Sequence, residues 1–168
     1  MTSSESIDSI AQEYRRFLQE CRSLQLATVS ADSTPLASYA PFVVDADQRF
    51  YILVSDLSAH TRHLQERGVA SVLLIEDEAK TLNIFARVRM TLTCAASEVQ
   101  RGSDAWHSAI QVFHARCGSI IETLCALSDF HLFRLTPESG VFVKGFGKAY
   151  KIDGEGLNRI SHITGTTP

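Results

Sequence analysis

The sequence lacks any apolar stretch near the eighteen or so residues that a bilayer-spanning helix needs. Its first residues, Met1-Thr2-Ser3-Ser4-Glu5-Ser6, also lack the basic-then-apolar order of a secretory signal. No Cys-x-x-Cys pair occurs among Cys21, Cys94, Cys117 and Cys125. They therefore read as reduced, buried thiols of a soluble cytoplasmic protein rather than as a disulfide framework. There is no excess of positive charge: 16 Lys and Arg against 19 Asp and Glu leave a formal net charge of −3. With no concentrated basic patch, a general attraction to nucleic-acid backbones is excluded. The histidines, His60, His63, His107, His114, His131 and His162, show no His-Glu-x-x-His or paired Cys/His spacing, which argues against structural or hydrolytic zinc.

What is present reads as one domain spanning residues 1–168. At 45% hydrophobic and 21% charged residues, the chain has enough apolar surface to build a core. Ile7, Ile10, Ala11, Tyr14, Phe17, Leu18 and Cys21 recur every three or four residues, predicting an amphipathic helix over about 6–22. Three strands follow at Leu24–Ser30, Leu36–Val44 and Arg49–Ser55, each bounded by turn residues. Ser58–Arg67 reads as a helix with Ser58 as its cap and Gly68 as its stop. Val69–Glu76 is a strand, and Ile84–Val99 a long one whose small central residues suit a bent barrel wall. Helical spacing returns over Asp104–Leu127, divided at Gly118. Phe130–Leu135 and Val141–Val143 flank Pro137-Glu138-Ser139-Gly140 in the pattern of a hairpin, and Gly145–Ile152 reads as the last strand. A short helix carrying Ile160 and a loose, flexible tail account for about 154–168. The sum is a mainly β fold with flanking helices, a small closed or partly closed barrel.

Four stretches are more specific: Leu24-Gln25-Leu26-Ala27-Thr28-Val29, Ser38-Tyr39-Ala40-Pro41-Phe42, Leu132-Phe133-Arg134-Leu135 and Val143-Lys144-Gly145-Phe146-Gly147-Lys148-Ala149-Tyr150. In order and spacing they resemble haem-utilisation proteins of the HutZ/HugZ type, within the pyridoxamine-phosphate-oxidase-like split-barrel group. The likeness runs from about Tyr14 to His162. It implies a flavin-reductase-like split β-barrel that forms a homodimer, with its ligand between the subunits. That ligand is FMN in the flavin-binding relatives.

The resemblance also selects residues. Flavin-binding relatives hold the FMN phosphate with a Ser-x-Lys run at the start of the inserted helix and an Arg-x-x-Arg run on the long strand. Here the matching places carry Ser58-Ala59-His60 and Arg87-Val88-Arg89. His60 in place of lysine removes a permanent cation, which weakens the FMN reading, although the helix N-terminus at Ser58 still suits an anion. Arg87 and Arg89, alternating on a strand, are either a solvated face or a pair for a flavin phosphate or haem propionates. Haem needs one axial imidazole, an apolar slot and cations for its propionates. The resemblance places the ligating histidine on the C-terminal segment, where His162 stands. The Gly-His pair of relatives is absent there, since Gly165 is followed by Thr166, Thr167 and Pro168. The iron ligand is then His162, another side chain with His63 next in line, or none. His107 and His114, seven apart, read as a polar helix stripe, and His131 as half-exposed on a strand. Asp129 reads either as a turn carboxylate or, through the resemblance, as an acceptor for the free N–H of an iron-bound imidazole on the neighbouring chain.

Three functions stay open on these residues. One is haem binding and utilisation with oxidative degradation that releases iron, using an unidentified electron donor. Another is an FMN-dependent oxidoreductase, and the third a non-catalytic haem carrier.

Overall fold

The computed structural model describes residues 6–163. Helix α1 (Ile7–Glu20) starts at Ser6, whose hydroxyl accepts the Ser9 N–H at 3.2 Å, and it buries Ile10, Tyr14, Phe17 and Leu18. Strands β1 (Ser23–Val29), β2 (Pro35–Val44) and β3 (Phe50–Ser55) form an antiparallel meander. Helix α2 (Ala59–Arg67) ends at Gly68, which takes a left-handed φ of 63°. Strands β4 (Val69–Ile75) and β5 (Arg89–Glu98) are followed by α3 (Asp104–Cys117), α4 (Ile120–Ala126), β6 (Phe130–Gly145), β7 (Lys148–Asp153) and β8 (Arg159–His162).

All pairings are antiparallel, in the order β3-β2-β1-β4-β5-β6-β7-β8. A further pairing of β3 with the first half of β6 closes six strands into a barrel. The second half of β6 carries β7 and β8 away from it as an extension. Alternation along the strands sends Leu24, Leu26, Phe42, Val72, Met90, Leu92 and Phe142 inward. Helix α1 covers the extension by packing Tyr14 and Phe17 against Phe142, and the Tyr14 hydroxyl donates to the Leu157 carbonyl at 3.1 Å. Helices α3 and α4 cover the outside of β2, β3 and β6 through Phe113 and Ile121 against Val43, Tyr51 and Leu132.

Helix α2 lies across one mouth of the barrel. Its Thr61 hydroxyl donates to the Ser55 carbonyl on β3 at 2.6 Å, His60 meets Ser38 on β2, and His63 meets Thr28 on β1. At its far end the Gly68 carbonyl accepts the Ala96 N–H of β5 at 2.7 Å.

Several elements depart from the sequence expectation. No hairpin divides 130–145: β6 is continuous, with Pro137 opposite Cys94 and Ser139 opposite Thr93, so Glu138 is the extra residue of a β-bulge. Bulge and turn draw on the same residue types, and a bulge tolerates proline's missing N–H. The true turn is Phe146-Gly147, between Gly145 at φ 152° and Gly147 at φ 66°, so the last predicted strand starts three residues late. The long strand expected from Ile84 begins only at Arg89. Residues 84–86 form a 3₁₀ turn held by Asn83, whose side-chain oxygen accepts the Phe85 N–H at 3.0 Å. In place of a helix and loose tail after 154 there is a 3₁₀ turn, Glu155–Leu157, and then β8, on which Ile160 is buried opposite Ile152. The rest of the expected tail, 164–168, lies outside the described residues.

Candidate functional site

The sequence-selected residues fall at two opposite ends of the barrel. At the mouth crossed by α2, Asp129 occupies the turn before β6. Its Oδ2 accepts the Ser55 hydroxyl at 2.7 Å, and its carbonyl accepts the Asp56 N–H at 2.9 Å. Oδ1 has no hydrogen-bond partner among the described residues. Asp129 is thus a half-buried carboxylate with one oxygen held and one offered.

Beside it, His131 lies between two carboxylates. Its Nδ1 is 2.6 Å from Glu98 Oε1, and its Nε2 is 3.0 Å from Asp56 Oδ1, as a charge pair rather than an aligned hydrogen bond. Hydrogen bonding to Glu98 foremost, with the nearby Asp56 carboxylate adding to it, outweighs partial burial and raises the imidazole pKa above its usual value. Ser55, Asp56, Glu98 and His131 were not singled out from sequence as one group. They sit on three separate elements, and only the register of β3 and β5 against β6 assembles them.

His60 and His63 face inward, onto β2 and β1. His60 Nδ1 is 3.0 Å from the Ser38 hydroxyl, and His63 Nδ1 is 3.1 Å from the Thr28 hydroxyl. Both rings are buried. Burial first, and then the neighbouring His63, lowers the His60 pKa, so at pH 7 this imidazole is neutral. Ser58 stands at the start of α2, but its hydroxyl makes no capping hydrogen bond.

The arginines sit at the other end. They do not alternate on a strand, because Arg87 precedes β5. Its guanidinium turns back to the Glu76 carbonyl and pairs with Glu78 Oε1 at 3.0 Å. It lines a groove of about 860 Å³ between α1 and the β4–β5 connection, together with Phe17, Cys21, Arg22, Lys80 and Lys144. Arg89 opens β5 and donates from Nη1 to the Arg87 carbonyl at 3.0 Å. It has no carboxylate within ion-pair distance among the described residues.

His162, on β8, is exposed opposite Tyr150, with the two rings edge to face at 5.2 Å. Its Nε2 lies 3.0 Å from the Gly147 carbonyl. That contact requires Nε2 to donate, which leaves the ring lone pair on Nδ1. The six steps of β4 from Val69, beside α2, to Ile75, opposite Arg89, span roughly 20 Å. A single chain therefore does not bring Asp129 together with Arg89 or His162.

One face was not anticipated. Among the described residues no helix covers the outer wall of β2, β1, β4, β5 and the end of β6, and its cross-strand rows hold almost no charge. One row runs Tyr39, Gln25, Leu73, Thr91 and Val141, and the next Ala37, Ala27, Ser71, Thr93 and Ser139. Arg89, between Ile75 and Val143, is the exception. Strand alternation does predict such a face, but its lack of charge shows only once the strands are placed side by side.

A six-stranded antiparallel barrel with a helix across one mouth and a strand extension from its longest strand defines a split β-barrel protein. The chain belongs to the pyridoxamine 5'-phosphate oxidase family, whose pattern matches residues 10–144. It is 44% identical over 151 residues to the heme oxygenase HutZ of Vibrio cholerae, covering 90% of this chain and 85% of that protein. The crystal structure of HutZ, described as a heme storage protein, superposes with a TM-score of 0.76 at 45% identity, covering 81% of this chain and 95% of HutZ. Campylobacter jejuni ChuZ superposes with a TM-score of 0.86 at 30% identity over 96% of this chain, which spans only 65% of ChuZ. Among the described residues no helix is long and apolar enough to cross a membrane.

Proposed function

We propose that the protein binds haem in a seam between two copies of the chain and degrades it oxidatively, releasing iron. The observation that carries this reading is Arg89, a cation with no carboxylate in ion-pair reach among the described residues, on an otherwise uncharged wall. A second copy covering that wall would bury the guanidinium, and a buried charge without a counter-ion is costly. A flat ligand with carboxylate arms removes that cost, and haem propionates match a guanidinium's fork of donors.

The remaining candidates suit the same ligand. With haem bound, Asp129 would offer Oδ1 to the N–H of an imidazole on the iron and so raise that ligand's basicity, and Ser55 keeps the carboxylate aimed. Because the two ends are so far apart within one chain, that imidazole comes from the partner copy. His162 is the candidate for that imidazole: Nδ1 would meet the iron, and the Nε2–H would leave the Gly147 carbonyl for Asp129. Arg87 is committed to Glu76 and Glu78 and contributes less than Arg89. When bound, haem supplies the oxygen chemistry.

FMN, the alternative cofactor, would seat its phosphate at Ser58. That helix start offers free N–H groups and a hydroxyl but no cation, because His60 is buried and neutral.

The test is a haemin titration of the purified protein, followed by ascorbate in air. A Soret shift that saturates, then loss of the Soret band with iron appearing in a chelator assay, is expected. Binding without bleaching indicates a carrier. Stoichiometric FMN in the purified protein, or no Soret shift, overturns the haem reading.

A further inference from the structure

The turn that carries Asp129 is fastened by a side chain from another part of the fold. Arg101, in the turn between β5 and α3, donates Nη2 to the carbonyls of Leu127 at 3.0 Å and Phe130 at 2.7 Å. Its Nη1 reaches the Cys125 carbonyl. Cys125 and Leu127 belong to the C-terminal end of α4, where carbonyls have no partner within the helix, and Phe130 is the first residue of β6. One guanidinium therefore bridges both sides of Ser128 and Asp129. Trp106 supports it, with the guanidinium carbon 5.8 Å from the indole ring centre.

We propose that Arg101 is a positioning residue for Asp129. It fixes the backbone on both sides of the carboxylate, while Ser55 and the Asp56 N–H fix the carboxylate and carbonyl themselves. Its role rests on Asp129 accepting the N–H of an iron-bound imidazole. Three carbonyls, two from the end of α4 and one from the start of β6, converge on one centre and suit a planar fork of five donors. An ammonium keeps the charge but lacks that fixed geometry. Arg101→Lys therefore separates charge from geometry.

The test compares wild type, Arg101→Lys, Asp129→Asn and the double variant. In the ligand-free protein, Arg101→Lys should speed hydrogen exchange at the Asp56 amide, which donates to the Asp129 carbonyl, while exchange in β1 and β4 stays as in wild type. In the haemin-loaded, reduced protein, Asp129→Asn should lower the iron–imidazole stretching frequency. Arg101→Lys should move it the same way by a smaller amount, and the double variant should match Asp129→Asn. If Asp129→Asn shifts the band and Arg101→Lys leaves both the band and the Asp56 amide unchanged, Arg101 is not a positioning residue. The same follows if the double variant shifts by the sum of the two singles. If Asp129→Asn itself leaves the band unchanged, the role of Asp129 fails and that of Arg101 falls with it.

Discussion

His131 is the clearest place at which charge in this fold depends on pH. Replacing it with Gln keeps a polar side chain of similar reach and removes the titration. In wild type the imidazolium faces Glu98 at 2.6 Å and Asp56 at 3.0 Å, and its side chain is 21% exposed. Partly exposed ion pairs contribute about 0.2–1 kcal/mol each, so two sum to about 1 kcal/mol. The folded pKa lies above the unfolded value of about 6.5, so the imidazolium is favoured in the folded state. Its contribution is fully present below that unfolded value and is lost as pH rises through the folded pKa.

Urea unfolding of wild type and His131→Gln at pH 6, 7, 8 and 9 reads this directly. At pH 6 the variant should be less stable by about 1 kcal/mol, a melting shift of about 2–4 °C for a chain of this size. By pH 9 the difference should shrink toward zero. The neighbouring Asp129 and Arg101 are unchanged in the variant, so their contributions cancel in the comparison. A difference that is flat in pH, or that grows with it, would mean that the two carboxylates do not hold the charged ring.

Thr93→Lys, an exposed change in the middle of the bare wall, should convert a dimer into a folded monomer by light scattering; an unaltered dimer would place the interface elsewhere. Arg89→Ala should weaken haemin binding about ten- to a hundred-fold, the loss of one charge-assisted hydrogen bond, whereas Arg87→Ala should change it little. Equal effects in a titration would undo the distinction between them. His162→Ala should abolish the Soret shift with a melting temperature near wild type, since the side chain is exposed on an edge strand; an unchanged spectrum moves the ligand to another side chain. Gly140→Ala should cost about 1–3 kcal/mol, because an added Cβ would meet the Thr91 carbonyl and the Leu92 side chain at 2.5 Å; a wild-type denaturation curve would count against that packing.

The order of strands and helices was legible because it is written in local periodicity, and the split barrel because strings such as Ser38-Tyr39-Ala40-Pro41-Phe42 recur in a family. What misled was chemistry shared between two structures. Pro137-Glu138-Ser139-Gly140 has turn residues, but β5 and β3 pair with β6 on either side of it, so the chain gains more by bulging than by reversing. Ile84 and Phe85 have strand propensity, yet no strand among the described residues pairs with them and Asn83 turns the backbone. Of the candidate site, Asp129 was selected from sequence but its setting was not legible, because Ser55, Glu98 and Arg101 lie 74, 31 and 28 positions away in sequence. His60 was read as a weakened anion ligand. The hydroxyl of Ser38, on a different strand, instead keeps it turned into the barrel.

The separation between the two ends has a physical logic of its own. In the proposed roles, a carboxylate accepting an N–H and a guanidinium holding an anion would neutralise each other if one chain brought them into contact, as Arg87 and Glu78 do. Keeping Asp129 at the mouth under α2 and Arg89 on the bare wall leaves each without an ion-pair partner among the described residues. Each is then available to something that arrives from outside. Ser55 and the Asp56 N–H preserve that state on one side by acting as neutral donors, and Arg101 spends its guanidinium on backbone carbonyls rather than on the carboxylate. The uncharged rows of β1, β4 and β5 preserve it on the other by offering Arg89 no carboxylate. A homodimer in which opposite ends of two copies meet would bring the unspent acceptor and the unspent cation to the same ligand, once per copy.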